Sequence, residues 1–288
     1  MEKYYRFAGV EIAVRIPDDQ MYTDDRQLAP FRVQDAADPH VFCYERVASP
    51  TSPSGKLDVS LPGVRIYREG SNSVRYIGAV DDGWENAYLR VSYGAKISHV
   101  QVKENALSER IGVKTVLNSL GAEHLVAQAG GFLFHCAYVD AGGKAILFTA
   151  PSGTGKSTQA ELWAQYRGAE IVNGDRAAVR LAEGVLLAEG IPFAGSSQYC
   201  NNKSLPIQAI VYLGQAPKTS IRKLRGYEAF SKIWEGISVD TWDKTDMESV
   251  SGVVQRAAAT LPVFHLTCTP DESAVRALEE ALRKQESL

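Results

Sequence analysis

A nine-residue segment near the middle of the 288-residue chain carries the residue types that hold phosphate groups. Its sequence is Ala150-Pro-Ser-Gly-Thr-Gly-Lys-Ser-Thr158, which fits the P-loop pattern with alanine in the position of the first glycine. The two glycines let backbone N–H groups face inward as an anion nest at a helix N-terminus. The lysine is placed to reach the β- and γ-phosphates, and the serine hydroxyl to ligate Mg²⁺. The predicted nucleotide-binding residues are Ser152, Gly153, Thr154, Gly155, Lys156, Ser157 and Thr158.

The residues on either side of this segment have the patterns that a phosphate loop needs. Chance would produce the loop pattern in a chain of this length on the order of a few per cent of the time. The short apolar run at 145–148 is typical of a buried parallel strand. Residues 157–166 predict a helix, with Leu162 and Tyr166 four residues apart. The predicted order is therefore strand, loop and helix.

A phosphate loop also needs a second strand that ends in an acid, because Mg²⁺ takes a carboxylate in addition to the hydroxyl. The run Ala169-Glu-Ile-Val172, followed by Asn-Gly-Asp175-Arg176, supplies one. We expect Asp175 to hold Mg²⁺, directly or through water, together with Ser157. The alternative is that Asp175 is only a turn residue at a strand end, which the preceding Asn-Gly pair would favour.

Two more residues are candidates for catalysis. His135 follows Phe-Leu-Phe and lies 21 residues before Lys156. It is a candidate for orienting or accepting the proton of an attacking hydroxyl, and the alternative is a satisfied core histidine. Arg176 is a candidate for neutralising charge on a transferring phosphoryl group, and the alternative is an ion pair on the surface.

The first part of the chain has the pattern of a β-sheet without a phosphate loop or a metal-like cluster. Alternating runs occur at 11–16, 41–47, 64–67, 74–77 and 87–93, and a Gly- and Asn-containing turn separates the third and fourth runs as in a hairpin. We expect residues 1–112 to form a mainly antiparallel β region, a candidate for substrate recognition. Residues 113–288 are expected to form the nucleotide-binding domain.

The second part of the chain is expected to begin and end with helices. Val113, Val116, Leu117 and Leu120 lie on one helical stripe. Beyond them, strands and helices are expected to alternate as in an α/β unit. Thr269-Pro-Asp-Glu272 predicts a capping box, with threonine as the N-cap of the last helix.

Composition excludes several classes of protein. Hydrophobic residues make up 45% of the chain and charged residues 23%, which are ordinary globular values. A net charge of −3 argues against a nucleic-acid binder that works by broad phosphate neutralisation. No apolar run approaches the ~20 residues that span a bilayer, and the first residues do not have the pattern of a signal peptide. Four scattered cysteines favour free thiols, so a cytoplasmic location is expected, without a membrane or nucleic-acid partner.

The chain resembles the bacterial HPr kinase/phosphorylase family, a P-loop group related in fold to phosphoenolpyruvate carboxykinases. The resemblance covers residues 130–215. It is carried by the phosphate loop, by Phe134-His-Cys-Ala-Tyr-Val-Asp140 and by Ile171-Val-Asn-Gly-Asp-Arg-Ala-Ala-Val-Arg180. It implies a kinase domain that uses ATP and Mg²⁺. The family carries two adjacent acids, the first a general base and the second a metal ligand, whereas Gly174 here takes the first position. The base is then either Asp175 or His135.

Smaller relatives in that family carry a segment similar to Gly190-Ile-Pro-Phe-Ala-Gly-Ser-Ser197, followed by Asn201-Asn-Lys-Ser204. This resemblance implies a loop that closes over phosphates or an acceptor, and its candidate residues are Ser196, Ser197, Asn202 and Lys203. An irregular surface loop rich in turn-forming residues has nearly equal weight.

These observations predict an ATP-dependent kinase that transfers the γ-phosphoryl group to a hydroxyl acceptor. The acceptor is a serine of a protein or peptide, or the hydroxyl of a small metabolite, and the sequence does not distinguish them or indicate the oligomeric state. The alternative is a nucleotide-binding regulatory or partner-binding protein with little catalysis. A carboxykinase-type decarboxylation ranks last.

Overall fold

The computed structural model describes residues 1–17, 22, 26–70, 72–78, 80–104, 111–195 and 199–286. The chain forms two compact units. The first contains Met1–Arg6 and Val10–Gly121, and the second contains Phe7–Gly9 and Ala122–Leu288. The sequence predicts a division of the chain after residue 112, with recognition expected in residues 1–112 and catalysis in residues 113–288. This assignment of roles stays a prediction.

The first unit is built on a nine-stranded sheet, and its described residues include one α-helix. Its elements are β1 (Glu2–Phe7), β2 (Val10–Arg15), β3 (Arg32–Val33), β4 (His40–Val47), β5 (Lys56–Leu61), β6 (Val64–Glu69), β7 (Asn72–Gly78), β8 (Ala87–Tyr93), β9 (Ile97–Lys103) and α1 (Val113–Ser119). The strand order is β3-β1-β2-β4-β9-β8-β7-β6-β5. The pairs β1–β3, β5–β6, β6–β7, β7–β8 and β8–β9 are antiparallel, and β4 runs parallel to both β2 and β9. The mainly antiparallel N-terminal region predicted from alternation is confirmed.

The predicted hairpin forms between β6 and β7. Val64 pairs with Ile77 at the open end, and Glu69 pairs with Asn72 at the turn. Gly70 has φ of +63°, in the left-handed region that glycine adopts without a steric penalty. The predicted helical stripe also forms. Val113, Val116 and Leu117 are buried on α1, which ends before Gly121 with φ of +58°.

The second unit combines a mixed sheet with five helices among the residues that the structure describes. Its elements are α2 (Ala122–Gln128), β10 (Gly131–Asp140), β11 (Ala145–Thr149), α3 (Lys156–Arg167), β12 (Glu170–Asn173), β13 (Arg176–Ala182), β14 (Val185–Glu189), β15 (Ser204–Gln215), β16 (Ser220–Leu224), α4 (Gly226–Trp234), β17 (Ile237–Ser238), α5 (Lys244–Thr260), β18 (Val263–Cys268) and α6 (Glu272–Glu286). The strand order is β11-β10-β13-β14-β15-β18-β16, and β12 and β17 add to β10.

The expected regular alternation of strands and helices is wrong for this unit. After α3, five strands from β12 to β16 follow one another without a described helix between them. β11 is parallel to β15 as predicted for a buried strand, but it is antiparallel to β10. Since β10 also pairs antiparallel with β12, β13 and β17, most of the sheet around the phosphate loop is antiparallel.

Two apolar cores lie on the two faces of this sheet. On one face, Phe132, Phe134 and Leu147 pack with side chains of α4 and α5. On the other, Phe148 and Val211 pack with side chains of α3 and α6. From Cys136 to Val139, successive residues of β10 alternate between the two cores, as the two-residue period of a strand requires. Cys136, in the middle of β10, pairs with Thr149 at the end of β11, so both strands are packed on two faces where the phosphate loop begins.

The last helix has the predicted apolar face but a different cap. Val275, Leu278 and Leu282 are buried as expected. The helix begins at Glu272, and the Asp271 carboxylate accepts a hydrogen bond from the Ser273 N–H at 2.8 Å. Asp271 is therefore the N-cap, because a carboxylate one residue before the first turn satisfies its free N–H groups. The predicted capping box with Thr269 is wrong.

The free cysteines are confirmed, since Cys43, Cys136, Cys200 and Cys268 all lack disulfides. No helix in the described part of the chain is both long and apolar enough to cross a bilayer.

A buried carboxylate joins α2 to α5 within the second unit. Asp246 is fully buried, and it meets His124 Nδ1 at 2.8 Å and accepts from Gln128 Nε2 at 3.1 Å. This hydrogen bond to Asp246 raises the pKa of His124 above its ordinary value of 6.5, against the opposing effect of burial. Asp240 and Asp243 add further negative charge around the imidazole.

We expect His124→Ala to destabilise the protein by about 1 kcal/mol at pH 6, because Asp246 loses its partner while the exposed side of the imidazole is screened by solvent. A histidine whose folded pKa is raised contributes its full stability below its unfolded pKa, so the contribution is complete below pH 6.5 and is lost as pH rises through the folded pKa. Denaturant unfolding of wild type and variant between pH 5.5 and 8.5 measures this, with His99→Ala on β9 as control. A difference that grows with rising pH would contradict the charged pair.

Candidate functional site

The predicted phosphate loop lies between a strand and a helix, as the sequence pattern predicts. It connects the end of β11 to the start of α3 within the second unit. Gly153 has φ of +79° and Gly155 has φ of +115°, values that side chains disfavour and glycine tolerates. No side chain caps the N-terminus of α3, so the N–H groups of its first turn remain directed at the loop. The loop can therefore present several backbone donors to one anion.

Lys156 is folded back onto the loop that carries it. Its Nζ donates to the carbonyl oxygen of Ala150 at 3.1 Å and approaches that of Pro151 at 3.5 Å. The residue is only 8% exposed. Burial lowers the pKa of Lys156, and Asp175 partly opposes that shift. A cation held by neutral carbonyls in a buried position is better stabilised by an anion, which is what a phosphate would supply.

Asp175 lies on the turn between β12 and β13, and the turn is held by a buried side chain. Asn173 is fully buried, and its Oδ1 accepts hydrogen bonds from the backbone N–H groups of Asp175 and Arg176, both at 3.0 Å. Its Nδ2 donates to the carbonyls of Ile191 and Phe193 at 3.2 and 3.1 Å. Both polar atoms of the Asn173 side chain are therefore hydrogen-bonded, and they hold the turn that carries the Asp175 carboxylate.

The phosphate loop and the acid-bearing turn lie side by side. The Ser157 hydroxyl donates to the carbonyl oxygen of Gly174 at 3.3 Å. This contact brings the hydroxyl to the residue that directly precedes Asp175. The oxygens of a hydroxyl and a carboxylate are the hard donors that Mg²⁺ prefers, and Mg²⁺ usually takes one or two protein ligands together with phosphate oxygens and waters. The donor set of Ser157 and Asp175 therefore fits Mg²⁺.

His135 lies next to Asp175 and is not a core histidine packed away from the site. Its Nε2 is 3.6 Å from Asp175 Oδ1, longer than a hydrogen bond. The backbone N–H of His135 donates to Gly236 O at 2.7 Å, and its carbonyl accepts from the Thr149 hydroxyl at 3.0 Å. Burial and then the nearby positive charge of Lys156 lower the pKa of His135, with Asp175 acting in the opposite direction. The imidazole is therefore neutral at neutral pH.

Arg176 on β13 lies opposite His135 on β10 in the antiparallel strand register. Its side-chain Nε lies 3.5 Å from Asp175 Oδ2. The structure thus brings together Lys156, Ser157, Asp175, His135 and Arg176. Two cations, Lys156 and Arg176, and a neutral imidazole lie around one carboxylate, so positive charge exceeds negative charge among these five side chains. The predicted surface ion pair of Arg176 is made, but its partner is the candidate metal ligand.

The predicted substrate loop is not brought to this site by its lysine. Lys203 Nζ forms ion pairs with Asp140 at 2.5 Å and Glu170 at 2.7 Å. Asp140 is five residues beyond His135 on β10, which at the rise of a strand is roughly 17 Å away. The neighbouring Asn202 is exposed. Ser196 and Ser197 lie outside the described residues.

Three residues at the site were not singled out from sequence. Asn173 had been considered only as a turn former beside Gly174. Gly195 packs against Asp175, since a β-carbon at that position would lie 2.8 Å from both Cβ and Cγ of Asp175. Gln159 is buried on the first turns of α3. A local pattern shows none of these contacts, because the partners of Asn173 and Gly195 are about 20 residues away in the chain.

No protein-family model and no curated protein matches the sequence. Among solved structures, the chain is similar to the Hpr(Ser) kinase/phosphatase from Coxiella burnetii. That match has 12% sequence identity and a TM-score of 0.32, and covers 54% of this chain and 94% of the other. A TM-score of this size does not establish a common fold, so the function proposed for the site depends on its own geometry.

We expect Gly195→Ala to displace the Asp175 carboxylate and to lower ATP turnover by about 10- to 100-fold, because small misplacements of catalytic groups have effects of that size. ATP affinity should change by less than about threefold, since the phosphate loop is untouched. Turnover assays and calorimetric titration with ATP separate the two effects. Gly252→Ala is the matched control, because its added β-carbon meets open space on α5. Unchanged turnover in Gly195→Ala would show that the packing against Asp175 is irrelevant.

Proposed function

We propose that the second unit is an ATP- and Mg²⁺-dependent phosphotransferase that transfers the γ-phosphoryl group to a hydroxyl acceptor. The observation that supports this most strongly is the convergence of two separate chain segments. The phosphate loop supplies Lys156 and Ser157, the turn after β12 supplies Asp175, and the Ser157–Gly174 hydrogen bond joins them. A nucleotide-binding loop alone explains only binding, whereas an acid and an imidazole beside it provide groups for transfer.

In the proposed mechanism the backbone N–H groups of 153–156 and Lys156 hold the β- and γ-phosphates. Ser157 and Asp175 would hold Mg²⁺, which would supply positive charge to the phosphate oxygens. Arg176 stabilises the charge that develops on the transferring group. Most of the rate enhancement then comes from positioning and from preorganised positive charge, as is usual for phosphoryl transfer.

His135 is the group that we assign to the proton of the acceptor hydroxyl. A neutral imidazole can accept a proton, and burial together with Lys156 keeps its pKa below 6.5. Asp175 has its two carboxylate oxygens directed at His135 and Arg176. It is therefore placed to orient the imidazole and to stabilise the imidazolium that forms.

The acceptor class is tested by incubating the protein with ATP, Mg²⁺ and a library of serine peptides and hydroxylated metabolites. A phosphorylated product, detected by mass spectrometry, is the expected result. Tight ATP binding without transfer to any acceptor would favour a regulatory nucleotide-binding protein.

We expect Lys156→Ala to lower the transfer rate by about 100- to 1000-fold, because it removes a preorganised positive charge from the transferring phosphates. Asp175→Asn should have a loss of similar size, since the amide keeps the shape but not the charge that holds Mg²⁺. Single-turnover transfer rates measure both. Lys144→Ala, at the exposed turn between β10 and β11, is the matched control. A full rate in either site variant would remove that residue from the mechanism.

The pH dependence of kcat/KM distinguishes His135 from Asp175 as the proton acceptor. We expect kcat/KM of the wild type to rise with pH through a pKa below 6.5 and then to level off, because only the neutral imidazole accepts a proton. His135→Gln should lower kcat/KM by about 100-fold at pH 7.5 and remove this low-pH limb. Retention of the same limb in the variant would assign the proton to another group.

A further inference from the structure

A cleft of about 650 Å³ opens beside the phosphate loop within the second unit. One wall is formed by Gly153, Gly155 and the first turns of α3. The other is formed by residues 213–217, at the end of β15, and 268–270, after β18. The volume lies in the range of sites that hold small organic molecules.

The described residues that line this cleft carry no charged side chain. Leu213, Ala216, Pro217 and Pro270 give it apolar surfaces, and threonine and glutamine side chains give it a few polar groups. The positive charges of the site, on Lys156 and Arg176, are not part of its lining. A neutral, partly apolar group therefore suits this cleft better than a phosphate does.

Gln159 supplies the second observation. It lines the cleft and is only 3% exposed. Its Nε2 donates to Cys268 Sγ at 3.2 Å, but its Oε1 is buried and has no hydrogen-bond partner. Buried amide oxygens in folded proteins are nearly always paired. An unpaired acceptor on the wall of a cleft indicates that a ligand supplies the donor.

The position of Gln159 on α3 relates this acceptor to the phosphate loop. It comes three residues after Lys156, about one helical turn along the same face of the helix. Gly153 and Gly155 border both the anion nest and the cleft. A molecule with its phosphates in the loop would therefore extend its uncharged end into the cleft.

We propose that this cleft binds the nucleoside of the triphosphate and that Gln159 Oε1 accepts a hydrogen bond from an N–H or O–H of that nucleoside. This inference rests on the proposed function, because it requires phosphates in the loop. It adds a binding subsite and a residue that selects nucleotides over inorganic polyphosphate.

The test compares ATP with inorganic tripolyphosphate, both with Mg²⁺, by calorimetric titration of the full chain. Wild type should bind ATP at least about tenfold more tightly than tripolyphosphate. Gln159→Leu should weaken ATP binding by about three- to tenfold and leave tripolyphosphate binding unchanged, which corresponds to one hydrogen bond to a neutral acceptor. Lys156→Ala should weaken the binding of both ligands.

Thermal unfolding without ligand keeps the variant interpretable. Leucine removes an unpaired buried acceptor and also the weak hydrogen bond from Nε2 to Cys268 Sγ. Because these two effects oppose each other, Gln159→Leu should unfold within a few degrees of wild type. Gln255→Leu is the matched control, since Gln255 lines a separate cleft at the start of α4 and should leave binding of both ligands unchanged.

Two triphosphates identify the donor. Loss of the Gln159→Leu effect with purine riboside triphosphate would assign the donor to the amine of the base, and loss with 2′-deoxyATP would assign it to the ribose. Either result supports the subsite. Equal affinity of wild type for ATP and tripolyphosphate, or an equal loss of both in Gln159→Leu, would overturn the subsite alone. Failure of wild type to bind either ligand would overturn the proposed function as well.

Discussion

The side-chain amide of Asn173 is the interaction on which the candidate site depends. Its two polar atoms make four hydrogen bonds, two to the turn that carries Asp175 and two to the segment at 191–193. Because the residue is completely buried, its loss would remove the side-chain acceptor of the Asp175 and Arg176 N–H groups. The amide therefore joins two loops and sets the turn against Ser157. The position of Asp175 beside the phosphate loop therefore depends on this turn as well as on the direction of β12.

The charged groups of the candidate site favour a ligand that carries several negative charges. One carboxylate, on Asp175, faces His135 and Arg176, and Lys156 is held by carbonyl oxygens. The pKa values of His135 and Lys156 are both lowered, mainly by burial. A bound polyanion would favour the charged form of both side chains and would therefore raise both pKa values. The net charge of −3 for the whole chain is compatible with this, because backbone donors and a few nearby cations act over short distances.

Features that depend on neighbouring residues could be predicted from the sequence, and those that depend on distant partners could not. The phosphate loop, α3 and the β6–β7 hairpin each follow from glycine positions and apolar spacing within about 15 residues. The sheet around them did not follow, since β10 pairs with strands that come both before and after α3 in the chain. The family resemblance implied that Lys203 belongs to a substrate loop, but its ion pair with Asp140, 63 residues earlier, determines where it lies.

Gly174 has no side chain that could accept a proton, so the choice of general base lies between Asp175 and His135. The Asp175 carboxylate already faces two basic side chains, with Oδ1 at 3.6 Å from His135 Nε2 and Oδ2 at 3.5 Å from Arg176 Nε. If the carboxylate took the proton, the site would lose the negative charge that faces Lys156 and Arg176. A neutral histidine can take the proton while Asp175 stays ionised and stabilises the resulting imidazolium. In the proposed mechanism, the lowered pKa of His135 and the position of Asp175 beside its Nε2 therefore act together, with the imidazole as proton acceptor and the carboxylate as its counter-charge.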